Sequence, residues 1–283
     1  PLLAQADWWR AVGPEAAELP PTGLAQPTLT ARLAPGVTRA LPGRTADVLL
    51  AAAATALAAT PGLLGVTAAA TVLVDVEGHG RLDPGRPLNL DRTVGWFTTV
   101  YPVAVTLGAD FAATLADATT ALRQTPDGGL GYRLLAQQGA IPERRPPLLV
   151  NYHGDIGAAG LPAGWNLSDW PVGTTVSPAN PPDHALTLTA ALAHGGLDLR
   201  LDYAAPVTAD AARNYLDALA ATLTRAAEAD ATGQAAPSVT PADLARPDGP
   251  ASPPAFPTPP PGLDGLDAAT LAALNALAEG GPA

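Results

Sequence analysis

From Asp47 to Thr60 the chain carries one charge, at its start, and no polar stripe: Asp-Val-Leu-Leu-Ala-Ala-Ala-Ala-Thr-Ala-Leu-Ala-Ala-Thr. Ala and Leu are strong helix formers, and Pro61-Gly62 supplies a firm stop. A helix that is apolar nearly all round has no face to turn toward water, so the rest of the chain must cover it. It is also too short to span a bilayer, which takes about 20 apolar residues. The chain is therefore constrained to a layered fold with this helix largely buried, capped at Thr45 or Ala46.

The covering layers are legible as a mixture of strands and helices. Thr28–Leu33, Ala70–Val76, Thr93–Leu107, Pro147–Tyr152, Leu186–Ala193 and Leu197–Tyr203 are rich in β-prone residues. The last two face each other across His194-Gly195-Gly196 and predict a hairpin. Leu2–Val12, Asp110–Arg123 and Val207–Asp230 have helical spacing. Thr208 opens the third of these, and Leu216, Leu219 and Leu223 lie on its inner face. This order predicts an α/β fold of the α+β layered kind, a mixed sheet with packed helices, over residues 1–230. Residues 231–262 read as a Pro-rich linker, with ten prolines between Gly233 and Gly262, and leucine spacing returns as a C-terminal helix at 263–279.

Composition narrows the function. The formal charge is −11, all fifteen basic residues are arginine, and no basic run exists, which argues against nucleic acid or anionic membrane as partner. There is no cysteine, which removes disulfides and thiolate chemistry and suits a cytoplasmic protein. His79, His153, His184 and His194 are scattered without metal-ligand spacing, so no metal is expected. Pro1-Leu2-Leu3 has neither signal-peptide features nor an initiator Met, and the chain is expected to lie inside a longer reading frame.

Four segments carry candidate chemistry. Glu77-Gly78-His79-Gly80-Arg81 places a carboxylate at the end of an apolar strand, against a Gly-x-Gly turn that admits close approach. An apolar flank raises a carboxylate's pKa toward the range useful for proton transfer. Alone, the pentapeptide reads more readily as a solvated surface turn. Arg92–Val103 crowds Trp96, Phe97 and Tyr101 onto one stretch. There Val94, Val100 and Val103 read as core, while Trp96 beside Gly95 could line a channel. Pro126–Tyr132 is a glycine-rich turn without the spacing of a phosphate loop. Val150-Asn151-Tyr152-His153-Gly154 ends a strand with an amide, a phenol and an imidazole.

In this order the four segments resemble the epimerization domains of nonribosomal peptide synthetases, members of the condensation-domain superfamily. Asp47–Ala51 is similar to that family's helix motif, Glu77–Arg81 to its Glu-Gly-His-Gly-Arg motif, and Arg92–Pro102 to its Arg-Thr-Val-Gly-Trp-Phe-Thr segment ending in Tyr-Pro. Gly129–Tyr132 resembles its Gly-x-Gly-Tyr segment, and Asn151-Tyr152 falls in its Phe-Asn-Tyr-Leu-Gly segment. The resemblance implies the C-terminal lobe of a chloramphenicol-acetyltransferase-like fold, with an active-site tunnel shared between two lobes. It implies inversion, L to D, of the α-carbon of an aminoacyl or peptidyl thioester on the phosphopantetheine arm of a carrier protein. It implies that no cofactor is bound directly and that the partners are the peptidyl carrier protein, the N-terminal lobe and adjacent synthetase domains. The resemblance further implies that Glu77 takes the acid/base position, that Asn151 and Tyr152 line the catalytic site, and that His79, Arg81 and Trp96 are substrate-binding.

Three departures stand out. The family's N-terminal-lobe motif His-His-x-x-x-Asp-Gly is absent from these 283 residues, Leu82 follows Arg81 where Glu is usual, and the last segment begins with Val and continues with His153. Two other readings remain at this level: a peptide-bond-forming condensation domain, and a catalytically inactive lobe that recruits a partner. A serine hydrolase lacks its Gly-x-Ser-x-Gly elbow.

Overall fold

A computed structural model describes residues 2–13, 23–60, 63, 71–82, 90, 92–156, 177 and 179–231. The chain divides into two compact units, Pro1–Ser238 and Val239–Ala283, and every element below belongs to the first. The linker and terminal helix expected beyond Ala231 lie outside the described residues, as does the Pro61-Gly62 stop.

Among the described residues, six strands form one sheet: β1 (Leu29–Leu33), β2 (Thr71–Gly78), β3 (Thr99–Thr106), β4 (Leu148–Asp155), β5 (Leu186–Ala193) and β6 (Gly196–Tyr203). Their order is β1-β6-β5-β4-β2-β3. The β2–β4 and β4–β5 pairs are parallel, and the other pairs are antiparallel. Pro102 is tolerated because β3 is an edge strand with a ladder on one side only. The β5–β6 hairpin turns through His194 (φ 50°) and Gly195 (φ 73°), the two positive dihedrals that match the twist of a tight hairpin.

The helices are α1 (Ala6–Ala11), α2 (Pro35–Arg39), α3 (Thr45–Ala59), α4 (Phe111–Gln124), α5 (Tyr132–Gln137) and α6 (Ala209–Ala231). α3 is the helix that had to be buried. Val48, Leu49 and Leu57 are fully buried, and α3 packs between α4 and α6 and against β2 and β4. Each such aliphatic side chain contributes about 1.5–3 kcal/mol on burial. α6 supplies Leu216, Leu219 and Leu223, all buried as their spacing indicates, and the Thr208 hydroxyl caps it by accepting from the Ala211 amide at 3.2 Å. Tyr215, wholly buried, donates its hydroxyl to the Ala53 carbonyl at 3.4 Å.

Several expectations are corrected. Neither Thr45 nor Ala46 caps α3: Thr45 is already helical, and Arg44 occupies the N-cap without a side-chain bond. The β-prone stretch Thr93–Leu107 is a strand only from Thr99, because the preceding residues loop outward. Val94, expected in the core, is 100% exposed. α2 escaped notice because five residues are too few to show a period. β2 runs two residues beyond its expected end, so Glu77 belongs to the strand itself. The expected interior position of that strand holds, with Val74 fully buried.

Candidate functional site

Alternation along β2 puts Val72, Val74 and Val76 on the face with the hydrophobic core and Leu73, Asp75 and Glu77 on the other. Register carries this across the sheet: Glu77 lies opposite Val100 of β3 and, on the parallel side, next to Asn151 of β4. The consequence is a direct contact, with the Asn151 Nδ2 donating to Glu77 Oε2 at 2.8 Å. One carboxylate oxygen is thereby fixed. Burial pushes the Glu77 carboxyl up from the ordinary 4.5, opposed by the nearby His153.

Glu77 opens into a cleft of about 390 Å³ whose walls include Trp96, Thr99, Val100, Leu130 and Arg133. Trp96 stands in the loop before β3 and is 89% exposed. That loop is held by Arg81. Its guanidinium donates to the Leu90 carbonyl at 2.6 Å and the Thr93 carbonyl at 3.0 Å, and stacks over the Phe97 ring at 4.4 Å. His79 accepts the Arg81 amide on Nδ1 at 3.0 Å and is exposed, so its ring shapes the turn. Gly80 (φ 62°) is required on two counts: a Cβ there would overlap the carbonyl oxygen of Phe97, and the dihedral is a left-handed one.

The structure thus brings Glu77, Asn151 and Trp96 together. Arg81 and His79 stand behind them, fixing the turn and the loop. Tyr152, one residue after Asn151, packs instead against the hydrophobic core. Arg133 was missed by sequence reasoning. It sits at the start of α5, just past the Gly-x-Gly-Tyr turn, and a turn motif says nothing about where the next side chain points. Asp75 was also missed, although its spacing of two from Glu77 on a strand was a usable signal.

Among the described residues, no helix is long and apolar enough to cross a membrane, and no cluster of three or more His, Asp or Glu side chains could hold a metal. The arrangement has one half-buried carboxylate held by an amide in an open cleft, with a cation and an indole at its walls. Such a carboxylate can accept and return a proton.

Comparison with known proteins agrees with this architecture. The Condensation domain family matches residues 37–241. A linear gramicidin synthase of Brevibacillus parabrevis is 33% identical over 189 residues, 61% of this chain and 4% of that protein. Bacitracin synthase 2 of Bacillus licheniformis is 38% identical over 87 residues, 29% of this chain and 3% of that protein. The chain thus spans only a few per cent of the length of the relatives it matches. Among solved structures, the epimerization domain from the third module of tyrocidine synthetase B superposes with a TM-score of 0.69 at 24% identity, covering 82% of this chain and 56% of that one. The X-domain from teicoplanin biosynthesis gives 0.58 at 20% identity, covering 80% and 55%. At such identities these two likenesses establish the fold. With the family matched over 205 of its 283 residues, 37 through 241, the chain belongs to the Condensation domain family.

Proposed function

We propose that this chain forms one lobe of an epimerization domain in a nonribosomal peptide synthetase, inverting the α-carbon of an acyl thioester carried on the phosphopantetheine of a carrier protein. The observation that supports it most is the Asn151–Glu77 contact at 2.8 Å on the wall of the cleft shared with Trp96. The step is a proton transfer: the α C–H bond breaks, its electron pair moves toward the thioester carbonyl, and the proton passes to the Glu77 carboxylate. A proton delivered to the opposite face of the enolate gives the inverted centre. The α-proton of a thioester is weakly acidic, so a base whose pKa is raised by burial is better matched than an ordinary carboxylate. The enolate oxygen needs donors as its charge develops, and Arg133 is the cation on the cleft wall. The second proton donor is assigned to the other lobe, which also completes the tunnel.

The test loads the carrier with an L-aminoacyl group in the complete protein, in heavy water, and follows α-deuterium and chirality of the released acid. Deuterium appearing at the α-carbon together with D-product is expected. Peptide-bond formation with a second loaded carrier and no α-exchange would instead assign the chain to a condensing domain.

A further inference from the structure

Two residues before Glu77 on the same face of β2, Asp75 is 5% exposed and paired with a histidine 109 residues away. His184 Nε2 lies 2.7 Å from Asp75 Oδ2. The other oxygen, Oδ1, is buried and has no hydrogen-bond partner among the described residues. A buried carboxylate oxygen without a donor is costly, and native structures rarely leave one so. This carboxylate lines a cavity of about 210 Å³ together with His184, Tyr132, Arg133, Glu143 and Arg144. The cavity adjoins the Glu77 cleft, because Val100 and Arg133 line both. Proton transfer at Glu77 leaves the dyad unused.

We infer that this cavity is the seat of the substrate's α-nitrogen, as ammonium or as the first peptide N–H, with Asp75 Oδ1 as its acceptor. The inference rests on the proton-transfer reading of Glu77. With the Asp75 carboxyl ionised, as its bond to His184 favours against the upward push of burial, the missing partner is a donor. The spacing then selects which donor. Side chains two apart on a strand stand about 6.6 Å from one another. A base reaches its reacting atom at about 3 Å, and a hydrogen bond spans about 3 Å. The N–Cα bond adds about 1.5 Å. An α-carbon at Glu77 with its nitrogen at Asp75 therefore bridges the two side chains without stretching. His184 holds the acceptor: its bond to Oδ2 fixes the carboxyl plane and leaves Oδ1 to the ligand. The cavity wall carries Arg133, Arg144 and Arg145 against Asp75, Glu143 and Asp183, and Glu143 lies 3.8 Å from Arg133 and 3.3 Å from Arg145.

Binding to the complete protein tests this without turnover. The probes are alanyl-pantetheine amide and its lactyl counterpart, which differ only in nitrogen against oxygen at the α-position, measured by calorimetry. The wild type is expected to bind the alanyl probe about tenfold or more tighter, the usual consequence of a charge-assisted bond, and Asp75→Asn is expected to lose most of that preference. His184→Gln, which keeps the carboxylate but removes its holder, is expected to lose part of it. Equal affinity of the wild type for both probes overturns the inference, whatever the variants do. So does an undiminished preference in a folded Asp75→Asn protein. A protein that shows the preference yet never exchanges its α-proton would refute the epimerization reading and leave the nitrogen site standing.

Discussion

Gly80 shows how far a single residue could be read in advance. The Gly-x-Gly spacing announced a close approach, and the structure supplies the neighbour, the carbonyl of Phe97 in a loop that sequence reasoning had assigned to a strand. Gly139 is a natural control, since its φ of 68° is also left-handed but nothing lies within 4 Å of its absent Cβ. Gly139→Ala is expected to cost about 1–2 kcal/mol from the dihedral alone. Gly80→Ala should cost at least about twice that, because the Phe97 loop must also move. Denaturant unfolding of the two variants checks this, and equal losses would show that the loop yields freely. Residue roles were harder to read than residue importance. Arg81 and His79 were legible as notable, but their bonding to Leu90, Thr93 and each other depends on a loop whose path no local pattern encodes. Tyr152 and Asn151 are neighbours in sequence, and the two-residue period of the strand is what separates them.

At the scale of elements, regular periods were legible and short or irregular pieces were not. β5, β6 and α6 fell close to their expected positions because their hydrophobic spacing is strong. α2 is too short to have a period, and the Val94–Trp96 loop carries β-prone residues that face outward. α3 was legible as buried, with a consequence for its one charge. Asp47 lies in the first helical turn, where the helix dipole favours a carboxylate, and the Thr119 hydroxyl donates to it at 3.3 Å. Burial outweighs these and the nearby Arg44, so its pKa is raised above the ordinary 3.8. A raised carboxylate pKa means that the folded state holds its proton more tightly than the unfolded chain. Its contribution to stability is therefore fully present below about pH 3.8 and is lost as pH rises through the folded value. Asp47→Asn does not titrate. The wild type should accordingly lose stability relative to Asp47→Asn as pH rises from about 4 toward neutrality, and the gap should be constant below that window. Parallel stability curves across the whole range would contradict the assignment of burial as the dominant influence.

Among the described residues, a six-stranded mixed sheet has the buried helix on one face and the candidate site on the other. The layered class followed from α3, and the family from four segments in fixed order. The juxtaposition of β2 with β4 did not follow, because a parallel pair is joined by a long connection whose course the strands themselves leave open. That pairing creates the Glu77–Asn151 contact, and the proposed proton transfer rests on it. Glu77→Gln in the complete protein tests it most directly: the amide keeps the shape and an acceptor for Asn151 but cannot take a proton. Deuterium wash-in at the α-carbon of the carrier-bound substrate is expected to fall by at least about 100-fold, with the thermal melt unchanged. Wild-type exchange in a variant that melts like the wild type would contradict the assignment and leave Glu77 a strand residue without a part in the chemistry.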